Sequence, residues 1–145
     1  MELKRVVVTG LGAVTPLGLN VDETWEALLN GVSGAGPITH FDASQFKTQF
    51  ACEVKNFDPT LYLDKKEVRK FDRYAQFAVA AAKEAVGDSA LDLEKVDKNR
   101  VGVIFAAGIG GIRTFEEEVG GYFTNIERGP KFNPFFIPKM IADIA

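Results

Sequence analysis

The chain has 145 residues, 46% hydrophobic and 26% charged, with 17 basic against 20 acidic side chains and a net charge of −3. This composition excludes a disordered tail and a general basic field for nucleic acid, and a chain this long has room for a real core. The single cysteine excludes an internal disulfide, no apolar run approaches the ~20 residues of a membrane span, and Met1–Arg5 leads into a predicted strand rather than a signal peptide, so one cytoplasmic domain over 1–145 is expected.

Val6-Val7-Val8 predicts a strand buried on both faces, as in a helix-covered sheet. It leaves through Thr9-Gly10-Leu11-Gly12, which resembles the start of a dinucleotide fingerprint. The third glycine of that motif is Thr15 here, Pro16 follows, and the first helix begins only near Val21. A glycine-requiring turn is the better reading, and a nicotinamide-dependent oxidoreductase is disfavoured. A covering helix is predicted over Val21–Asn30, with Asn20 as N-cap, Glu23 completing a capping box, Val21, Trp25, Leu28 and Leu29 as the apolar stripe, and Gly31 as the left-handed stop.

Ser33–Pro37 reads as a loop, and the alternation of Phe50, Cys52 and Val54 as a short strand. His40 is the only histidine and, with no partner evident, reads as structural. A long helix is predicted from Asp64, its cap, to Val86, with Gly87 as its stop and Phe71, Tyr74, Ala75, Ala78, Ala81, Ala82 and Ala85 along one stripe. The alanines would let it approach a neighbour closely. Lys65, Lys66, Arg69, Lys70 and Arg73 cluster at its start: a solvated face interleaved with Glu67 and Asp72, or a site for an anionic partner.

A turn of helix is expected around Leu91–Lys95, then a second buried strand over Val101–Ala107, making a right-handed βαβ unit. The strand ends in Gly108-Ile109-Gly110-Gly111, a turn that presents one side chain, Ile109. Glu116–Glu118 are expected near the start of a short helix, complementing its dipole rather than holding a metal. In the last segment Pro130, Pro134 and Pro138 forbid regular structure, while Phe132, Phe135, Phe136 and Ile137 call for burial. A final helix is predicted over Lys139–Ala145 with Pro138 as its first residue, and the chain is expected to stop in the middle of a fold.

Taken together, Arg5–Gly18, Trp25–Leu29, Ser33-Gly34, His40–Phe46, Lys66–Asp72, Gly108–Gly111 and Pro134–Pro138 resemble the N-terminal part of a type II, elongating β-ketoacyl-[acyl-carrier-protein] synthase, a thiolase-like condensing enzyme. The resemblance implies an α/β fold, the N-terminal part of a layered α-β-α architecture that is incomplete in this chain. It also implies an acyltransferase of fatty-acid biosynthesis, condensing acyl chains with malonyl-carrier protein by decarboxylation. Such enzymes use a cysteine nucleophile at a helix N-terminus and two histidines. Those motifs do not occur among the 145 residues, and neither Cys52 nor His40 lies in one, so no catalytic residue is assigned and the chain alone is expected to be inactive.

By the same resemblance, Ile109 and Phe136 line the acyl pocket. Lys66, Arg69 and Lys70 dock acyl carrier protein, while Phe132, Phe135 and Phe136 lie in a homodimer interface. No cofactor or metal is implied; substrates ride on the phosphopantetheine of acyl carrier protein. The implied partners are that carrier, a second copy and the C-terminal remainder of the polypeptide, with neither nucleic acid nor membrane. The alternative is a non-catalytic docking or dimerisation module, or a subunit like a chain-length factor.

Overall fold

In the computed structural model, residues 3–129 and 131–141 are described. They group into two compact units, one containing the chain up to Asp58 together with Ala80–Leu91, the other Pro59–Val79 together with the chain from Asp92.

In the first unit, helix α1 (Val21–Leu29) has the predicted ends. Asn20 Oδ1 accepts the Glu23 N–H at 2.8 Å, and Glu23 Oε2 reaches back to accept the Leu19 N–H at 2.8 Å. At the other end Gly31 has φ +65°, and the N–H groups of Gly31 and Val32 return to the carbonyls of Leu28 and Ala27. The covered face differs from the predicted one. Val21, Thr24 and Ala27 are half-buried, whereas Trp25, Leu28 and Leu29 are exposed.

Strands β1 (Ala35–Pro37) and β2 (Phe50–Cys52) pair antiparallel, Gly36 opposite Ala51. The strand at Phe50–Cys52 was expected, but its inward residue is Ala51, with Phe50 and Cys52 turned out. Part of the expected loop at Ser33–Pro37 is therefore a strand. Loop composition does not oppose it, because its proline and small residues lie on an edge that needs only one partner.

The expected sheet strands are the main departure. Val6–Val8 and Val101–Ala107 carry no regular element, and among the described residues β1–β2 is the one sheet. Val6, Val8 and Ile104 are 89%, 79% and 97% exposed, so neither segment is buried and no βαβ unit forms. A strand is held by ladder bonds to its neighbours, and neither segment has such a neighbour among the described residues. Among the described residues the buried hydrophobic ones are instead alanines: Ala43, Ala75, Ala78 and Ala80.

The long helix is broken in two. Asp64 caps α2 (Lys65–Val68), accepting the N–H groups of Lys66 and Glu67 at 2.7 and 2.9 Å, and α3 (Arg73–Asp88) starts afresh after a turn. The break is stable because its polar groups are met locally. The Gln76 side-chain amide donates to the carbonyls of Val68 and Phe71, and Asp72 Oδ1 accepts the Tyr74 N–H at 3.4 Å. Gly87 does not stop α3. The helix runs one residue further, and Ala90, at φ +51°, takes the left-handed position while its N–H bonds the Gly87 carbonyl.

The close approach expected of this alanine helix is present in the first unit. A Cβ on Gly12 would lie 1.9 Å from the Ala81 carbonyl oxygen, and one on Gly10 2.3 Å from that of Ala85. The amides of this loop are bound by acidic side chains of α3: Leu11 N–H donates to Asp88, and Ala13 N–H and Val21 N–H donate to the two oxygens of Glu84 at 2.8 Å each. Thr15, where the fingerprint needs glycine, folds the next turn, its hydroxyl accepting the N–H groups of Leu17 and Gly18.

In the second unit, turns over 93–95 and at Lys98–Arg100 replace the helical turn expected at Leu91–Lys95. Helix α4 (Ile112–Thr124) follows the glycine turn, and α5 (Phe136–Met140) packs against it. Glu116–Glu118 lie beyond the first turn of α4, too far along to complement its N-terminus. Glu117 pairs with Arg113 at 2.8 Å instead, and Glu118 accepts the Asn133 N–H at 2.8 Å. Helix α5 begins two residues before Pro138, which is tolerated because first-turn N–H groups have no helical acceptor. The rest of the helix expected to Ala145, like Pro130, lies outside the described residues.

Candidate functional site

The basic cluster is built by the Asp64 cap and the break after α2. Lys65, Lys66, Arg69 and Lys70 are exposed, and none of the four has an ion-pair partner among the described residues. Arg73 departs from the group: it is half-buried, its guanidinium 5.2 Å from the centre of the Phe77 ring. Asp72 forms no ion pair with the patch among the described residues; its Oδ2 accepts the hydroxyl of Thr114, which is buried.

Ile109 sits at the tip of the glycine turn, 68% exposed, with Gly110 at φ +79°. Gly111 permits the crossing behind it, since a Cβ there would lie 2.1 Å from the Lys139 carbonyl oxygen. Phe136, the first residue of α5, is half-buried in an aromatic stack, with ring centres 6.2 Å from Phe115 and 5.7 Å from Phe132. Tyr122 stacks on Phe132 in turn, at 5.6 Å. Phe132 and Phe135 remain 43% and 37% exposed. The segment thus gains part of the expected burial from its own chain. An open cleft of about 460 Å³ runs along α4, lined by Glu117, Glu118, Tyr122, Asn125, Arg128 and Lys131; it contains none of the residues assigned to the acyl pocket, the docking patch or the dimer interface, and its charges are mixed.

His40 is exposed and lies beside Glu53. Glu53 accepts the Thr39 hydroxyl at 2.6 Å, the Thr39 N–H at 3.0 Å and the His40 N–H at 3.4 Å, with the imidazole 3.9 Å away. The Thr39 hydroxyl bond, then the Thr39 N–H, holds the Glu53 carboxyl below the usual range; the Ser44 N–H does the same for Asp42 and the Lys95 side chain for Asp92. All three native groups therefore bind protons less readily than their unfolded forms. Their contribution is present above the ordinary carboxylate range and is lost as pH falls through the lowered native values. Stability should therefore decline on acidification below about pH 4.5. Urea titrations across that range check this, and a flat profile would show that these bonds contribute nothing. Cys52 is exposed on β2, and no cluster of three metal-ligating side chains exists among the described residues.

Asp72, Thr114, Glu84 and Asp88 were not singled out by the sequence as contacts. The available signal was that Glu84 and Asp88, four apart, are the two acidic residues of the alanine-rich α3.

The fold is that of the ketosynthases. The chain superposes with a TM-score of 0.73 on the AntDE:AntF complex of a type II polyketide-synthase acyl-carrier protein with its ketosynthase bound to the hexaketide, at 26% identity over 96% of this chain and 35% of that one. The ishigamide ketosynthase/chain length factor gives 0.72 at 28% identity, over 93% of this chain and 33% of that one. The chain belongs to the β-ketoacyl synthase family: its residues 3–145 match the family's N-terminal domain. Relatives include the 3-oxoacyl-[acyl-carrier-protein] synthase 2 of Coxiella burnetii, 49% identical, and that of Synechocystis, 43% identical. Each alignment spans 100% of this chain and 34% of the relative's length. Among the described residues no helix is long and apolar enough to cross a membrane.

Proposed function

We propose that this chain is the N-terminal part of a 3-oxoacyl-[acyl-carrier-protein] synthase 2, a cytoplasmic homodimer that elongates fatty acids by decarboxylative condensation of an acyl chain with malonyl-carrier protein. The observation that carries the reading is the set Lys66, Arg69 and Lys70, exposed and without ion-pair partners among the described residues, on a chain 49% identical to a synthase of that name. These cations dock the acidic carrier protein and steer its approach. Ile109 and Phe136 shape the acyl pocket, and the exposed Phe132 and Phe135 rest against the second subunit. The nucleophilic cysteine and the two histidines are supplied by sequence these 145 residues do not carry.

Calorimetry with acyl carrier protein tests the docking step. Binding should weaken as salt is raised, because the screening length is only ~8 Å at physiological ionic strength. Lys66→Glu combined with Arg69→Glu should lower affinity at least about tenfold, or 1.4 kcal/mol. Binding that ignores both salt and charge reversal would overturn the assignment. A turnover assay of the chain alone with acyl- and malonyl-carrier protein should give no condensation.

A subunit without a nucleophile, like a chain-length factor, is a second reading, supported by the likeness to the ishigamide pair. The higher identity to the synthase 2 proteins supports the first.

A further inference from the structure

The carboxylate of Asp72 stands between two features that the sequence separates by about forty residues. It lies two residues after Lys70, at the end of the basic patch. One of its oxygens, Oδ1, accepts the Tyr74 N–H at the start of α3, while Oδ2 accepts the hydroxyl of Thr114 in the first turn of α4. Thr114 is buried, so this bond is shielded from competition with water.

Helix α4 needs such a partner. Its N-cap is Gly111, which has no side chain to offer, and a carboxylate near a helix N-terminus is favourable. The turn carrying Ile109 is then held from two sides. Gly111 donates its N–H to the Met140 carbonyl, and the position a Cβ would take on Gly111 is 3.1 Å from Asp72 Oδ2. The end of the patch and the turn are therefore joined by one side-chain hydrogen bond.

We propose that Asp72, acting through Thr114, is a positioning residue that transmits carrier-protein docking at the Lys66–Lys70 patch to the Ile109 turn. The proposal rests on the docking reading above. Cations engaged by a partner restrain the segment 66–72, and the Asp72–Thr114 bond passes that restraint to the glycine turn, where Gly110 holds φ +79° and accepts the Ile112 N–H.

The test is an amide NMR titration of this chain with carrier protein lacking its phosphopantetheine arm, so that the arm cannot reach Ile109. Amides of Lys66–Lys70 and of Ile109–Gly111 should shift along one saturation curve. Thr114→Val, which keeps the shape and removes the donor, should retain the shifts at 66–70 and lose those at 109–111. Thr114→Ser should restore them, which a merely structural defect would not predict. Saturable binding with a silent glycine turn, or an undiminished response in Thr114→Val, overturns the coupling and leaves docking standing. Absence of binding overturns docking, and the coupling with it.

Discussion

Gly12→Ala should destabilise the chain by about 3 kcal/mol or more, the upper end of what overpacking costs. The added Cβ would lie 1.9 Å from the Ala81 carbonyl oxygen and 2.8 Å from the Ala85 nitrogen, and both are backbone atoms of α3. A flexible side chain would swing away, but a helix yields only by disturbing its own hydrogen bonds. Gly87→Ala is the matched control. Gly87 lies inside α3 with nothing within 4 Å of its would-be Cβ, so alanine there should stabilise by about 1 kcal/mol through helix propensity and a less disordered unfolded chain. Urea unfolding of both variants decides the matter: opposite signs for the same added methyl are expected, and equal losses would remove the packing argument.

Glu84→Ala should cost about 2–4 kcal/mol, because it strands two partly buried N–H donors and removes two charge-assisted bonds. The Glu84 carboxylate joins Ala13, in the glycine loop, to Val21, at the start of α1, each at 2.8 Å. Glu84→Gln should lose less, since its one carbonyl oxygen can still serve one donor. Denaturation gives the magnitude, and hydrogen exchange localises it: the Ala13 and Val21 amides should lose protection first. A cost below about 0.5 kcal/mol would mean that water serves those amides equally well.

Both positions mark the limit of reading this chain as a string. The glycine loop announced itself, and its departure from a nucleotide fingerprint at Thr15 was legible. That Gly10 and Gly12 exist to admit α3, and that Leu11 and Ala13 donate to its carboxylates, depends on which helix crosses the loop. The break between α2 and α3 was hidden for a similar reason. Its apolar spacing is continuous from Phe71 onward, and the turn is held by Gln76 and Asp72 through side-chain bonds that periodicity does not register. The site divides likewise: Lys66, Arg69 and Lys70 were visible as a charge run, whereas the Asp72–Thr114 bond spans 42 positions and has no local signature.

Local chemistry is what the sequence determined by itself. The Asn20 and Asp64 caps, the left-handed Gly31 and the family motifs each depend on neighbours a few residues away, so their energetics are present in the string. Only the tertiary structure decided which apolar residues are covered. Val6–Val8 and Val101–Ala107 have the composition of buried strands, yet Ile104 is 97% exposed while Ala75 and Ala80 are 1% exposed. Burial belongs to a pair of surfaces, and a strand's ladder to a pair of segments. Side-chain composition describes one member of each pair, and the other is known only when the chain is folded.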